Sequence, residues 1–280
     1  SMFTVAQSAK KVSQIAFLAF VVLLTGCASF GNKVKDTESG YYEAAQTYLD
    51  QRNYSLAIER LTDLQSRFPF GRFAQASALD LIYARYQSND FATALIEADR
   101  FTRLNPDYPS VDYAWFLRSM SYYRLFLANR GIFGKVDPAM RSPEQGQKAF
   151  FALLEFSDQF PESVYREPAL TAMIVLKDAL ARHELIVADF YIRRGAWVAA
   201  AERAQVVIQH YPGVSAEADA LVVLTEAYGA LELDKDRQIT LTRLQTTYPD
   251  HAVFASGSYQ APKWAEDRWW VKLLTLGLTS

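Results

Sequence analysis

A single cysteine, three histidines and no excess of either charge leave this 280-residue chain few ways to do chemistry. With only Cys27, no disulfide can close within the chain, so its stability has to come from packing. His183, His210 and His251 share no metal-ligand spacing, and His183-Glu184 lacks the second histidine of a zinc-protease helix. The stretch Gly131-Ile132-Phe133-Gly134-Lys135 is too short for a phosphate-cradling loop, and no Ser or Thr follows the lysine. No Gly-x-Ser-x-Gly elbow is present either. These absences predict no enzyme, no catalytic residues, no metal and no cofactor. The 29 basic and 31 acidic residues also argue against nucleic acid as a partner, because phosphate binding wants a basic surface. No apolar run reaches the ~20 residues of a membrane-spanning helix; Ile15 to Leu24 covers ten.

That short run is nevertheless informative. Lys10 and Lys11 precede it, and Leu24-Thr25-Gly26-Cys27 follows it, which predicts a signal peptide over 1–26. The four residues resemble the lipobox of bacterial lipoproteins, in which a small residue before the cysteine permits cleavage and the thiol then carries diacylglycerol. By that resemblance Cys27 is the lipidation site, and residues 27–37 are a lipidated tether. Acyl chains stabilise membrane attachment by about 0.8 kcal/mol per buried CH2, enough to anchor without a spanning helix. Such lipoproteins stay in the inner membrane when Asp follows the cysteine. Ala28 and Ser29 stand there instead, implying the cell outer membrane and its periplasmic face. Removing the leader takes away two lysines and leaves 27 basic against 31 acidic groups, a net charge of about −4.

The body is punctuated by proline. In Phe68-Pro69, Asn105-Pro106, Phe160-Pro161, Tyr211-Pro212 and Tyr248-Pro249 the proline sits just after an apolar or aromatic helix end. Twelve residues before these prolines stand Ala57, Ala94, Ala149, Ala200 and Arg237, and three residues earlier come Tyr54, Phe91 and Trp197. A small residue lets two helices approach, an aromatic fills the space beside it, and proline stops the second helix. Unit starts fall at 38, 75, 112, 181 and 218. The pattern resembles the tetratricopeptide repeat (TPR), stretched from about 34 residues to 37 in the regular units. The predicted fold class is all-α, a solenoid of about five helix hairpins.

Two departures from the period stand out. Residues 127–142 hold Gly131, Gly134, Pro138 and, just beyond, Pro143, which predicts an insertion loop in the third unit: a docking insertion or a tolerated surface one. Ser142-Pro143-Glu144-Gln145 then reads as an N-cap, first-turn proline and capping-box partner. Residues 165–194 keep helical spacing without a break, predicting one long helix that holds an N-terminal array (units 1–3, 38–161) rigidly apart from a C-terminal pair (162–250). Within a tail over 251–280, Trp269, Trp270, Leu273 and Leu274 form an apolar stripe, suited to capping the last unit or to meeting a membrane or another lipoprotein.

Positions 2, 5, 9 and 12 of a TPR first helix line its concave groove. In the front three units these include Tyr42, Leu79, Tyr83, Tyr86, Tyr113, Phe116 and Tyr123, so six of twelve positions are aromatic. In the last two units they are Arg182, Leu185, Asp189 and Ile192, then Asp219, Val222, Glu226 and Gly229, with no aromatic. The contrast predicts an extended aromatic-bearing peptide in front and a more polar protein surface behind. A register displaced by one residue would instead put several of these rings in the core.

Three stretches carry a closer resemblance: Arg67 to Phe73 (RFPFGRF), Leu79 to Ala84 (LDLIYA) with Asp99 to Pro106 downstream, and Arg194 to Ala199 (RGAWVA). Together with the lipobox and the long helix they resemble the BamD family, lipoproteins of the outer-membrane β-barrel assembly machine. The resemblance runs from about residue 37 to 250 and implies a non-enzymatic scaffold. It implies as partners the periplasmic domain of the barrel subunit BamA, a BamC-like accessory lipoprotein, unfolded outer-membrane β-barrel proteins and, through Cys27, outer-membrane lipid. By the same resemblance Arg194, Trp197 and Arg203 face the barrel subunit, though a solvated helix charge also accounts for Arg203. The competing function is a periplasmic TPR adaptor for cell-wall synthesis enzymes.

Overall fold

The computed structural model describes residues 35–263 apart from 129, 132 and 133; the leader, Cys27 and the stripe at 264–276 lie outside the described residues. Ten α-helices are present among the described residues: α1 Glu38–Asp50, α2 Tyr54–Arg67, α3 Ala74–Gln87, α4 Phe91–Leu104, α5 Val111–Ala128, α6 Pro143–Gln159, α7 Arg166–Ile192, α8 Trp197–His210, α9 Ala216–Ala230 and α10 Asp234–Thr247. Consecutive helices pair as hairpins in an all-α TPR-type solenoid. Ala57, Ala94, Ala149 and Ala200 have no exposed surface, as close helix approach at those positions requires.

The turns inside the hairpins show how period becomes geometry. Arg52, Asn89, Gly195 and Glu232 all have left-handed φ, between 56° and 68°, and each stands fourteen residues after a unit start. Asn53 N–H reaches back to Tyr48 O and Arg52 N–H to Leu49 O, and the same paired bonds recur at 89–90, 195–196 and 232–233. This is the Schellman ending of a helix, which normally selects glycine; here only one of the four is glycine. Asn53 and Asp90 then cap the following helices by accepting from Leu56 N–H and Thr93 N–H.

In the third unit α5 runs on to Ala128, and a two-residue hairpin, β1 Arg130–Gly131 with β2 Gly134–Lys135, and a 3-10 turn at Pro138–Met140 precede α6. Pro143 occupies the first turn of α6, whereas the Ser142 side chain makes no capping bond, so the expected N-cap bond is absent. The base of this insertion is fastened to α7. Asp137 takes two bonds from Arg182 Nη1, at 2.8 and 2.9 Å, and the His183 ring nitrogen lies 2.8 Å from Ala139 O. Arg141, itself buried, donates to the Phe126 and Val136 carbonyls.

The long helix does not act as a spacer. Ala169, Ala172, Leu176 and Ala179 of α7 complete a core with Phe126, Leu153 and Phe156, while Ala181, Leu185, Ala188 and Ile192 open the next core with α8 and α9. The expectation that it holds two halves apart is therefore corrected: small residues along α7 let neighbouring helices close onto it over its whole length. Truncating Leu176, which has no exposed surface, would cost about 2–5 kcal/mol.

Candidate peptide groove and partner surface

Each unit hands its neighbour a link that packs on the previous first helix, and the first link packs on Glu38, Ser39 and Tyr42. After Pro69 the chain turns so that Phe73 N–H donates to Glu38 Oε1 at 2.8 Å, Arg72 Nη2 donates to Ser39 at 2.8 Å and the Phe73 ring stacks on Tyr42 at 4.3 Å. A Cβ on Gly71 would fall 2.0 Å from Glu38 Oε1, so any side chain there would push the carboxylate away from Phe73 N–H. Beside this stack Asp80 accepts from Gln46 Nε2 at 2.6 Å and from the Tyr42 hydroxyl. Burial, more than the neighbouring Asp80 charge, pushes the Tyr42 hydroxyl up to about 12. Burial also raises the Asp80 carboxyl above its ordinary value, against the opposing pull of its two donors.

From there a chain of half-buried rings crosses the front units. Tyr54 meets Tyr83 edge-on at 6.2 Å, Tyr83 lies 6.4 Å from Tyr113, and Tyr113 stacks on Phe116 at 6.4 Å. Tyr165, in the link before α7, closes the series at 4.7 Å from Tyr113 and 5.1 Å from Phe116. Tyr86 sits edge-on to Phe91 at 5.3 Å. Burial raises the hydroxyls of Tyr83, Tyr86, Tyr113 and Tyr123.

Six of the seven predicted groove residues, Tyr42, Tyr83, Tyr86, Tyr113, Phe116 and Tyr123, are thus half-buried. Leu79 is the exception and a correction: it is buried in a core with Ile82, Ala98, Phe101, Ala114 and Leu117. Its branched apolar side chain turns inward where the rings beside it keep an edge at the surface. Phe73, Asp80 and Tyr165 pack beside these residues, and the sequence pattern does not mark them. Asp80 lies inside the 79–84 stretch, and Phe73 and Tyr165 share a position, the residue before a first helix, which helical periodicity does not read.

The rear residues behave differently. Arg194 is exposed, donates to Phe190 O at 3.3 Å and holds its guanidinium 3.5 Å from the centre of the Phe190 ring. Trp197, half-buried, packs against the rear core. Arg203 lies on α8 and donates to Glu184 Oε2 at 3.1 Å; its side chain is 42% exposed and that of Glu184 13%. The hydrogen bond to Glu184 is the main cause of a raised Arg203 pKa. A partner carboxylate at Arg203 would share or replace this internal pair. Arg194 precedes α8, which Trp197 opens and which carries Arg203 nearly two turns further on.

Among the described residues no helix is long and apolar enough to cross a membrane, and no group of three or more His, Cys, Asp or Glu residues could hold a metal ion. Residues 34–244 match the family YfiO, outer membrane lipoprotein. The chain is 37% identical over 227 residues to the outer membrane protein assembly factor BamD of Vibrio cholerae, covering 80% of this chain and 93% of that protein. It is 37% identical over 238 residues to the protein of that name from Neisseria meningitidis serogroup B, covering 81% and 87%. The Pasteurella multocida protein of that name is 32% identical over 226 residues, covering 80% and 87%.

Proposed function

The chain belongs to the YfiO family of outer membrane lipoproteins, and from that premise we propose that it is a non-enzymatic scaffold for outer-membrane protein assembly. It is held at the periplasmic face of the outer membrane by lipid on Cys27, receives unfolded β-barrel proteins in its front groove and binds the barrel subunit BamA through its rear units, with a BamC-like lipoprotein as a further partner.

The observation that carries this reading is the spacing of the front rings. Tyr54, Tyr83, Tyr113 and Phe116 follow one another at 6.2, 6.4 and 6.4 Å. An extended strand presents same-face side chains about every 6.6 Å, two residues at roughly 3.3 Å each. A strand of an unfolded barrel, aromatic or apolar on alternate residues, can therefore lay one face along the ring series. Tyrosine suits that task because it offers a stacking face together with a hydroxyl for the strand's polar groups. At the rear, Arg194 lies over exposed Phe190 and Arg203 pairs with Glu184, a mixed surface of the kind that folded partners cover.

A photo-crosslinker placed at residue 83 and, separately, at residue 203 in growing cells tests both halves. Position 83 is expected to capture nascent barrel proteins and position 203 the BamA periplasmic domain. Capture of a peptidoglycan synthase at both positions, with barrel-protein levels unchanged on depletion, would replace this reading with the cell-wall adaptor.

A further inference from the structure

All four concave positions of the fifth unit are covered by the chain itself. Position 2, Asp219, faces His251, whose Nε2 lies 3.1 Å from Asp219 Oδ1. Because His251 Nδ1 accepts from Val253 N–H at 3.3 Å, Nε2 is the protonated nitrogen and donates to the carboxylate. Position 5, Val222, shares an apolar cluster with Val253, against which Phe254 and Tyr259 also pack. Position 9, Glu226, accepts from the Tyr259 hydroxyl at 2.6 Å. Position 12 is Gly229, and Arg237 lies over it so closely that a Cβ there would stand 3.0 Å from Nε.

Three of these four covers come from one segment, His251–Gln260, which starts beyond the last residue of the family match. Its place in the solenoid explains how it arrives there. Val253 stands thirty-five residues after Ala218, as Phe73 does after Glu38, so the segment runs through the place where a sixth unit's first helix would start. Instead of a helix of 13 to 15 residues, as in α1, α3 and α9, it forms one 3-10 turn at Ala252–Phe254. It then reverses at Gly257, with φ +85°, and returns to donate from Gln260 N–H to Val253 O at 2.8 Å. Two polar anchors, a few apolar side chains and no helical ladder hold it.

We infer that His251–Gln260 is an intramolecular ligand that keeps a second peptide site closed, the acidic concave face of the fifth unit. The chemistry of the occupant defines the class of ligand: an extended peptide whose aromatic and branched side chains cover Val222, and whose phenol or imidazole N–H and O–H donors reach Glu226 and Asp219. A partner segment of that composition enters only by displacing the strap, so the rear groove opens on demand while the front groove stays open.

The test uses the full chain and a fluorescent synthetic peptide of residues 250–262 as the probe. A His251→Ala, Tyr259→Ala double variant frees the groove in cis, while the probe retains both anchors. The variant is expected to bind the probe about tenfold or more tightly than the parent chain, because an occupied site lowers apparent affinity by its open fraction. Adding Glu226→Gln should abolish that gain. A folded double variant that binds the probe no better than the parent overturns the inference. Hydrogen exchange of the unsubstituted chain decides independently of any variant. The Gln260 amide should exchange about tenfold or more faster than the core amides of α9, by local opening; exchange at the α9 rate would make the segment a fixed cap and overturn the inference.

Discussion

Left-handed turn residues are where a single side chain matters most in this solenoid. Glu232 holds φ +58° at the position that Gly195 fills at φ +68°, and an L side chain in this region costs roughly 1–2 kcal/mol. Glu232→Gly is therefore expected to raise stability by about 0.5–1 kcal/mol after the added freedom of the unfolded chain is discounted, and Gly195→Ala to lower it by ~1 kcal/mol. Urea midpoints of the two variants check both signs. Asp80 is the other decisive residue. Burial raises its carboxyl pKa in the folded protein, so the native state holds the proton more tightly than the unfolded chain does. The sign follows from linkage: this group's contribution to stability falls as pH rises from the ordinary carboxylate value through the raised one. Asp80→Asn should thus flatten the pH dependence of the thermal midpoint in that range and leave the protein at least as stable at neutral pH. A midpoint that drops at neutral pH would show instead that the carboxylate's bonds to Gln46 and Tyr42 outweigh its burial.

Helices and loops were legible to different degrees, for physical reasons. The prolines and buried alanines recur because every hairpin solves the same packing problem, so α1 to α4 and α8 to α10 follow from offsets alone. The uninterrupted 165–194 stretch predicts α7, but helical spacing cannot say that both ends of the helix lie in cores, so its role as shared wall is visible only in the fold. The strap at 251–260 has neither period, and its anchors pair residues 32 and 33 positions apart, which only a folded chain brings together. The insertion was readable as a loop from its glycines and prolines, whereas its fastening through Asp137, Ala139 and Arg141 was not. Asp137→Ala should undock it: the two charge-assisted bonds to Arg182 contribute about 1.5–3 kcal/mol, and Asp178 still neutralises the arginine. Proteolysis within 127–142 is expected to quicken about tenfold or more while the global unfolding midpoint moves little. An unchanged cleavage rate would place the anchor elsewhere.

For the whole molecule, the aromatic front and the covered rear predict separable losses. Tyr83→Ala with Phe116→Ala removes two central rings of the series and should weaken a labelled aromatic strand peptide by roughly tenfold or more, at about 1–2 kcal/mol per ring, while capture of the rear partner through residue 203 persists. Loss of both together would mean that the rings serve the fold and not a ligand, since Phe116 also meets Phe156 at 5.8 Å. Front and rear differ in ring content, and none of the six front rings is fully buried; Leu79 departs from them because composition alone cannot tell an inward leucine from a lining one. The doubly used helix α7 has a last consequence. Because Ala169 to Ala179 finish one core and Ala181 to Ile192 begin the next with only buried Leu180 between them, the halves are not interchangeable parts. Splitting the gene anywhere along that helix would yield two fragments each missing a wall, and swapping one half between relatives would demand that the seam travel with it.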